Sequence, residues 1–196
     1  MQLFPLFLKL AGRKVLVVGG GPVAAAKVAA LRDAGADIAV VAPEVEPGLA
    51  ELAASGAIAI ARRSFDAADL DGAWLVVAAA TPDVNRGVAA AAESRRLFVL
   101  AVDDPSAASA YGAGTLRRGG VTVAVSTDGR APALAGLLRE GLEAVLPADL
   151  ETWAAAADTQ RAQWRAAGVP MSERRPLLLR ALNAIYDDKK NGKVAP

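Results

Sequence analysis

Two absences narrow the chemistry available to this chain. It holds no histidine and no cysteine among its 196 residues. Thiolate nucleophiles, disulfides and thiolate-held clusters are thereby excluded, and the commonest acid/base of neutral pH is missing. Proton transfer falls to Asp, Glu, Lys or Tyr. Asp103 stands out among these. It follows the apolar run Phe98-Val99-Leu100-Ala101-Val102 and precedes Asp104-Pro105, which puts it at the carboxyl end of a strand, where ligands sit in open α/β sheets. A carboxylate there is a candidate general base, although an Asp before a proline turn accounts for the residue equally well.

The second feature is Gly19-Gly20-Gly21-Pro22-Val23-Ala24, which follows Val15-Leu16-Val17-Val18. Gly19-x-Gly21-x-x-Ala24 fits the dinucleotide fingerprint, in which Ala is accepted last. Gly19 permits the sharp turn, Gly21 lets a pyrophosphate approach the backbone, and Ala24 allows close packing of helix on strand. The helix from about Val23 then aims its N–H groups and positive dipole end at the phosphates. Such folds often carry an acidic ribose reader at the end of the second strand. Here that strand ends Ala42-Pro43 with Glu44 beyond, so ribose contacts are expected from the backbone around Pro43 and Glu44. Thr81 follows the apolar strand Trp74–Ala80 and either touches the nicotinamide side or, like Asp83, caps the next helix. Asp66, Asp69 and Asp71 read as a solvated loop and helix end, and no metal site is expected.

These residues need elements to position them. Apolar runs at 15–18, 38–42, 58–60, 74–80 and 98–102 alternate with helical stretches, which predicts a doubly wound, Rossmann-type parallel α/β sheet of order 3-2-1-4-5. Lys27 is expected on the solvated side of the first helix. Ser106–Gly114 is small and flexible, a connector or a mobile loop. Arg117 and Arg118 then precede a strand at Val121–Ser126. A helix follows with a stripe of Leu134, Leu137, Leu138, Leu142, Val145 and Leu146, either core or subunit interface. Two more helices, about 150–167 and 171–186, and a polar frayed tail at Asp187–Pro196 complete the chain. The expected division is 1–113, a nucleotide-binding domain; 114–147, a strand-plus-helix segment; and 148–196, a helical end.

Net charge is +1 with 54% hydrophobic and 22% charged residues, which points to neither nucleic acid nor an anionic membrane surface. No apolar run reaches a membrane span of roughly 20 residues. Phe4-Pro5-Leu6-Phe7-Leu8 lacks the basic region and cleavage site of a signal peptide. A cytoplasmic protein is expected.

Taken together, Phe4–Leu8, the GGGxVAxxK block Gly19–Lys27, Ala79-Ala80-Thr81-x-Asp83-x-Asn85, Val102-Asp103-Asp104-Pro105, Val123–Pro132 and Leu137–Glu143 resemble the precorrin-2 dehydrogenases. This family includes stand-alone sirohaem-synthesis enzymes and the amino-terminal half of sirohaem synthase. The resemblance runs from about residue 3 to 150. It implies NAD-dependent oxidation of precorrin-2 to sirohydrochlorin, with ferrous iron inserted in the same site in many members. It implies catalysis by Asp103, NAD contacts at Pro22, Val23, Pro43 and Glu44, and a substrate-side turn at Ser126 and Thr127. It also implies an intertwined homodimer through 114–147. The carboxylates of a tetrapyrrole call for cations, for which Arg117, Arg118, Arg130 and Arg139 are candidates. Leu100 stands where the family often has Asn, and Gly112-Ala113 where it has a bulky apolar residue and Pro. A nucleotide-sensing module without turnover and a tetrapyrrole-binding pseudoenzyme are the competing expectations.

Overall fold

Consecutive apolar residues from Val15 to Val18 point to opposite faces of one sheet, and each face buries its own set. β1 spans Lys14–Val18, β2 Asp37–Val41, β3 Ala59–Ala61, β4 Leu75–Ala78 and β5 Phe98–Ala101. The computed structural model describes residues 2–190. All five strands run parallel in the order β3-β2-β1-β4-β5, as expected from the alternation of strand and helix. Val15 and Val17 pack on one face with Val28, Ile38, Val40, Leu49 and Val77. Leu16 and Val18 pack on the other with Val41, Val76, Val88 and Val99. A strand covered on both sides has no polar face, which is why β1 and β4 read as continuous apolar runs. Each fully buried aliphatic side chain here contributes about 1.5–3 kcal/mol to folding.

The helices of this layer are α1 (Pro22–Asp33), α2 (Pro47–Ala54) and α3 (Pro82–Glu93). Each starts on a proline, whose missing N–H costs nothing in a first turn and whose fixed φ suits helix entry. Between β3 and β4 a short 3-10 helix, Ala67–Leu70, is closed by a capping box between Asp66 and Asp69. β3 begins one residue later than the apolar pattern suggests.

The chain forms two compact units: residues up to Gly112 with Asp128–Arg130, and Ala113–Thr127 with Ala131 onward. In the second, β6 (Gly114–Arg118) pairs antiparallel with β7 (Val121–Val125). Gly119 and Gly120 join them with φ of 53° and 77°, the type I′ geometry that matches strand twist. Arg117 and Arg118 do precede the strand expected at Val121, and they also lie within β6, a strand the sequence reading did not include. β6 has one buried side chain, Leu116, so no apolar run announces it. α4 (Pro132–Val145), α5 (Leu150–Ala166) and α6 (Met171–Lys190) follow. Trp153 of α5 meets Tyr186 of α6 edge-on, with centroids 5.9 Å apart. α6 continues past Tyr186 to Lys190, and the remainder of the expected polar tail lies outside the described residues. No helix among the described residues is long and apolar enough to cross a membrane.

Candidate dinucleotide and proton-transfer site

The β1–α1 turn is built by steric necessity. Gly19 has φ of 122°, and a Cβ there would fall on the Ala79 carbonyl at the end of β4. Gly20 is held equally closely: its carbonyl accepts from Glu46 N–H at 2.8 Å, and a Cβ would fall on the Glu44 carbonyl. Gly21 is different. A Cβ at that position meets nothing within 4 Å, so the backbone borders open space. Gly21 is also the N-cap of α1. It supplies no side-chain acceptor, and α1 has no acidic residue in its first turn. The first-turn N–H groups thus lack intrahelical partners, and the positive dipole end is left uncompensated. This is a backbone cradle for a diphosphate, and the residues present fit a dinucleotide.

Around it, Ala24 is fully buried while Val23 remains 45% exposed. Pro43 and Glu44 are exposed just after β2. Thr81 occupies the N-cap position of α3, but its hydroxyl makes no cap hydrogen bond. Asp83 pairs with Arg86 instead of capping the helix.

Asp103 lies beyond β5, exposed, with φ of 57°. That left-handed conformation is tolerated by Asp and Asn better than by other side chains. With Val23, Ala79, Ala80, Pro82, Asn85, Val102 and Asp104, it lines a cavity of about 230 Å³. The geometry thus brings Asp103 together with the α1 start and the end of β4. Two neighbouring carboxylates share this cavity but not one character. Asp104 Oδ1 accepts from Ser106 Oγ at 2.5 Å and from the N–H groups of Ser106 and Ala107. The Ser106 hydroxyl, seconded by these backbone donors, holds the Asp104 carboxyl below the usual range.

The segment read as flexible is tethered. Ser109 Oγ accepts from Val99 N–H at 2.8 Å, and the N–H groups of Ser109 and Ala110 both donate to the Val99 carbonyl. Tyr111 donates its hydroxyl to the Pro105 carbonyl at 3.0 Å. Its ring edge lies so near Gly129 that a Cβ there would collide with it.

Asn85 was not expected at the site. It is 2% exposed, accepts from Ala80 N–H at 3.0 Å and donates to the Val102 carbonyl at 3.4 Å. It therefore ties the end of β4 to the residue preceding Asp103. Its signal in sequence is its place in the Ala79-Ala80-Thr81-x-Asp83-x-Asn85 block. Lys27 is half-buried, not on a fully solvated face, which corrects the earlier expectation.

Of the candidate cations, Arg118 donates to the Leu146 carbonyl at 2.9 Å. Arg139 pairs with Glu143 at 2.9 Å and Glu140 at 3.2 Å. Both have structural tasks. Arg130 is exposed, 3.8 Å from Asp128. Arg117, Ser126 and Thr127 belong to the second unit, where Thr127 Oγ1 accepts from Ala131 N–H at 3.1 Å.

A parallel sheet of this order with an uncapped glycine turn at its carboxyl edge defines a dinucleotide-binding α/β protein. Residues 6–113 match the family profile described as "Putative NAD(P)-binding", and residues 118–144 match the profile described as sirohaem biosynthesis protein central. The chain belongs to the putative NAD(P)-binding family, and the match to the sirohaem central profile follows that domain in the chain. It is 45% identical over 185 residues to siroheme synthase 3 of Aeromonas hydrophila, covering 94% of this chain and 40% of that protein. It is 42% identical over 176 residues to siroheme synthase of Salmonella arizonae, covering 89% and 38%. The chain thus spans about two fifths of the length of these curated relatives. Among solved structures it is similar to SirC, a precorrin-2 dehydrogenase, with a TM-score of 0.70, 26% identity, and coverage of 91% of this chain and 88% of that one.

Proposed function

We propose that the chain is an NAD-dependent dehydrogenase that oxidises precorrin-2 to sirohydrochlorin. What supports this reading is that Val23, at the end of the glycine turn, and Asp103 line one strand-end cavity. The siroheme synthase relatives supply the substrate class. When bound, NAD supplies the acceptor for a hydride. The β1–α1 turn holds its diphosphate on backbone N–H groups, and the loop at Pro43 and Glu44 meets the adenosine ribose. Thr81 and Val23 stand on the nicotinamide side. Asp103 takes the proton that accompanies hydride loss, so precorrin-2 and NAD give sirohydrochlorin, NADH and a proton. Asp104 is engaged by Ser106 and Ala107 and leaves that task to its neighbour. Ser126, Thr127, Arg117 and Arg130 are the candidates for holding the acidic tetrapyrrole in this reading. Ferrous iron then enters as a substrate, with Asp103 receiving the pyrrole protons it displaces. The segment 114–147 forms a homodimer.

The test is anaerobic incubation of the protein with precorrin-2 and NAD, following NADH and sirohydrochlorin by absorbance, with ferrous iron added afterwards. NADH formation above a no-protein control supports the dehydrogenase, and iron uptake faster than that control supports the chelatase. NAD binding without NADH formation would overturn the enzyme and favour a sensor or a pseudoenzyme.

A further inference from the structure

Val23 and Lys27 lie one turn apart on the same face of α1. Val23 lines the Asp103 cavity. Lys27 is half-buried, and among the described residues its ammonium makes no hydrogen bond and no ion pair. It reaches towards Gly112. A Cβ at that glycine would stand 3.6 Å from Lys27 Nζ and 3.8 Å from Leu100 Cδ1. Leu100 sits on β5 three residues before Asp103, packed against the apolar cluster that contains Val28 of α1. Gly112 itself is exposed and without a side chain, so the ammonium borders an opening with a leucine beside it.

A cation in such a place gives up part of its hydration and gets no protein carboxylate in return. It is poised for an anion that arrives from outside. Dinucleotide phosphate and substrate carboxylate are the two sources at this site, and direction separates them. The phosphate cradle opens at Gly21, and the Pro43–Glu44 loop follows β2 on one side of β1. Leu100 is on β5, on the opposite side beyond β4. Lys27 therefore turns away from the adenosine half and towards the side where the oxidised substrate must lie.

Resting on the dehydrogenase reading, we propose that Lys27 is a substrate-binding residue whose ammonium receives one peripheral carboxylate of the tetrapyrrole, in the opening left by Gly112. The site suits a flexible ammonium, because a carboxylate on a flexible substituent presents a charge rather than a fixed bidentate edge. A bulkier residue at 112 would close the space.

The experiment titrates the full chain with sirohydrochlorin, read by its fluorescence, and separately with NAD, for wild type, Lys27→Met, Lys27→Arg and Gly112→Asp. Lys27→Met is expected to weaken sirohydrochlorin binding about tenfold, the usual loss for one charge-assisted contact. Lys27→Arg should retain most of the affinity. Gly112→Asp sets an internal carboxylate within reach of Nζ and should weaken binding to a similar degree without touching the lysine. NAD affinity and thermal midpoint should stay at wild-type values, and in turnover KM for precorrin-2 should rise while kcat holds. Wild-type affinity in both Lys27→Met and Gly112→Asp overturns the assignment and leaves the dehydrogenase reading intact. A loss confined to NAD overturns it in favour of a phosphate contact. Absence of sirohydrochlorin binding by the wild type removes the tetrapyrrole reading and this inference together.

Discussion

Asp103 is a carboxylate in a conformation that most side chains avoid, at φ of 57°. That combination dictates how its role is tested. Alanine at a left-handed position would remove the carboxylate and add backbone strain together. Asparagine removes the negative charge while tolerating the conformation. Asp103→Asn is expected to lower kcat by about 10²–10⁴-fold, the range for a lost general base, with NAD affinity and thermal midpoint unchanged. An Asp103→Asn protein with wild-type turnover would refute the assignment. Asn85 calls for the opposite pattern. Asn85→Leu leaves the Ala80 N–H and the Val102 carbonyl without their partner inside the protein. It should cost about 1–3 kcal/mol in denaturant unfolding, and turnover should fall because the residue before Asp103 loses its tether. A variant as stable as wild type would mean that water replaces the amide. Asn85 and Lys27 both fall in blocks that carry the family resemblance, but neither was assigned a role from the sequence, because its surroundings come from chain far away: Val102 for one, Gly112 for the other.

At the level of elements, legibility follows burial. β1, β2, β4 and β5 were readable from their apolar runs, which bury on the two faces of the sheet, while the helices α1, α2, α3 and α4 start on Pro22, Pro47, Pro82 and Pro132, within two residues of the starts expected for the first three. β6 was missed because Gly-Thr-Leu-Arg-Arg becomes a strand only by pairing with β7 across Gly119-Gly120. The loop after β5 looked free because its small residues carry no pattern, yet Ser109 fastens it to Val99. The three acidic residues near Leu70 illustrate the same point in electrostatics. Asp69 meets Arg63 at 2.5 Å while also accepting from Asp66 N–H. The Arg63 guanidinium, with that backbone donor and Lys14 beside it, holds the Asp69 carboxyl below its ordinary range. A depressed folded-state pKa adds stability that is fully present above the unfolded carboxylate value, roughly 4, and is lost as pH falls through the folded value. Asp69→Asn keeps the backbone acceptor and removes the charge. It should cost about 1 kcal/mol at neutral pH, since Arg63 is half exposed and the pair is screened. The gap between variant and wild type should close in urea melts below about pH 4. A gap that is the same at both pH values would assign the loss to packing.

The whole molecule poses a question that neither unit answers alone. In α4, Leu137 and Val145 are 66% and 75% exposed, and Leu134, Leu138 and Leu142 are 38–49% exposed. Ala135 is the buried residue of that helix. The stripe is therefore not intramolecular core, which was one of its two readings from sequence. Five large aliphatic side chains at helical spacing form a contiguous apolar face of the kind that marks an interaction surface. A second copy of the chain is the occupant that matches the proposed dimer, because an isologous interface needs only one such face. The wild-type protein is then expected to show about twice its 20.0 kDa chain mass in light scattering after size exclusion. Leu137→Glu would place a charge in the middle of the stripe on both copies and should give a monomer, with the far-ultraviolet circular dichroism of the fold retained. Its NAD affinity should be unaffected, since Gly19–Ala24 and Asp103 belong to the other unit. Persistence of the dimer in Leu137→Glu would move the interface elsewhere, and a monomeric wild type at every concentration would end the dimer proposal.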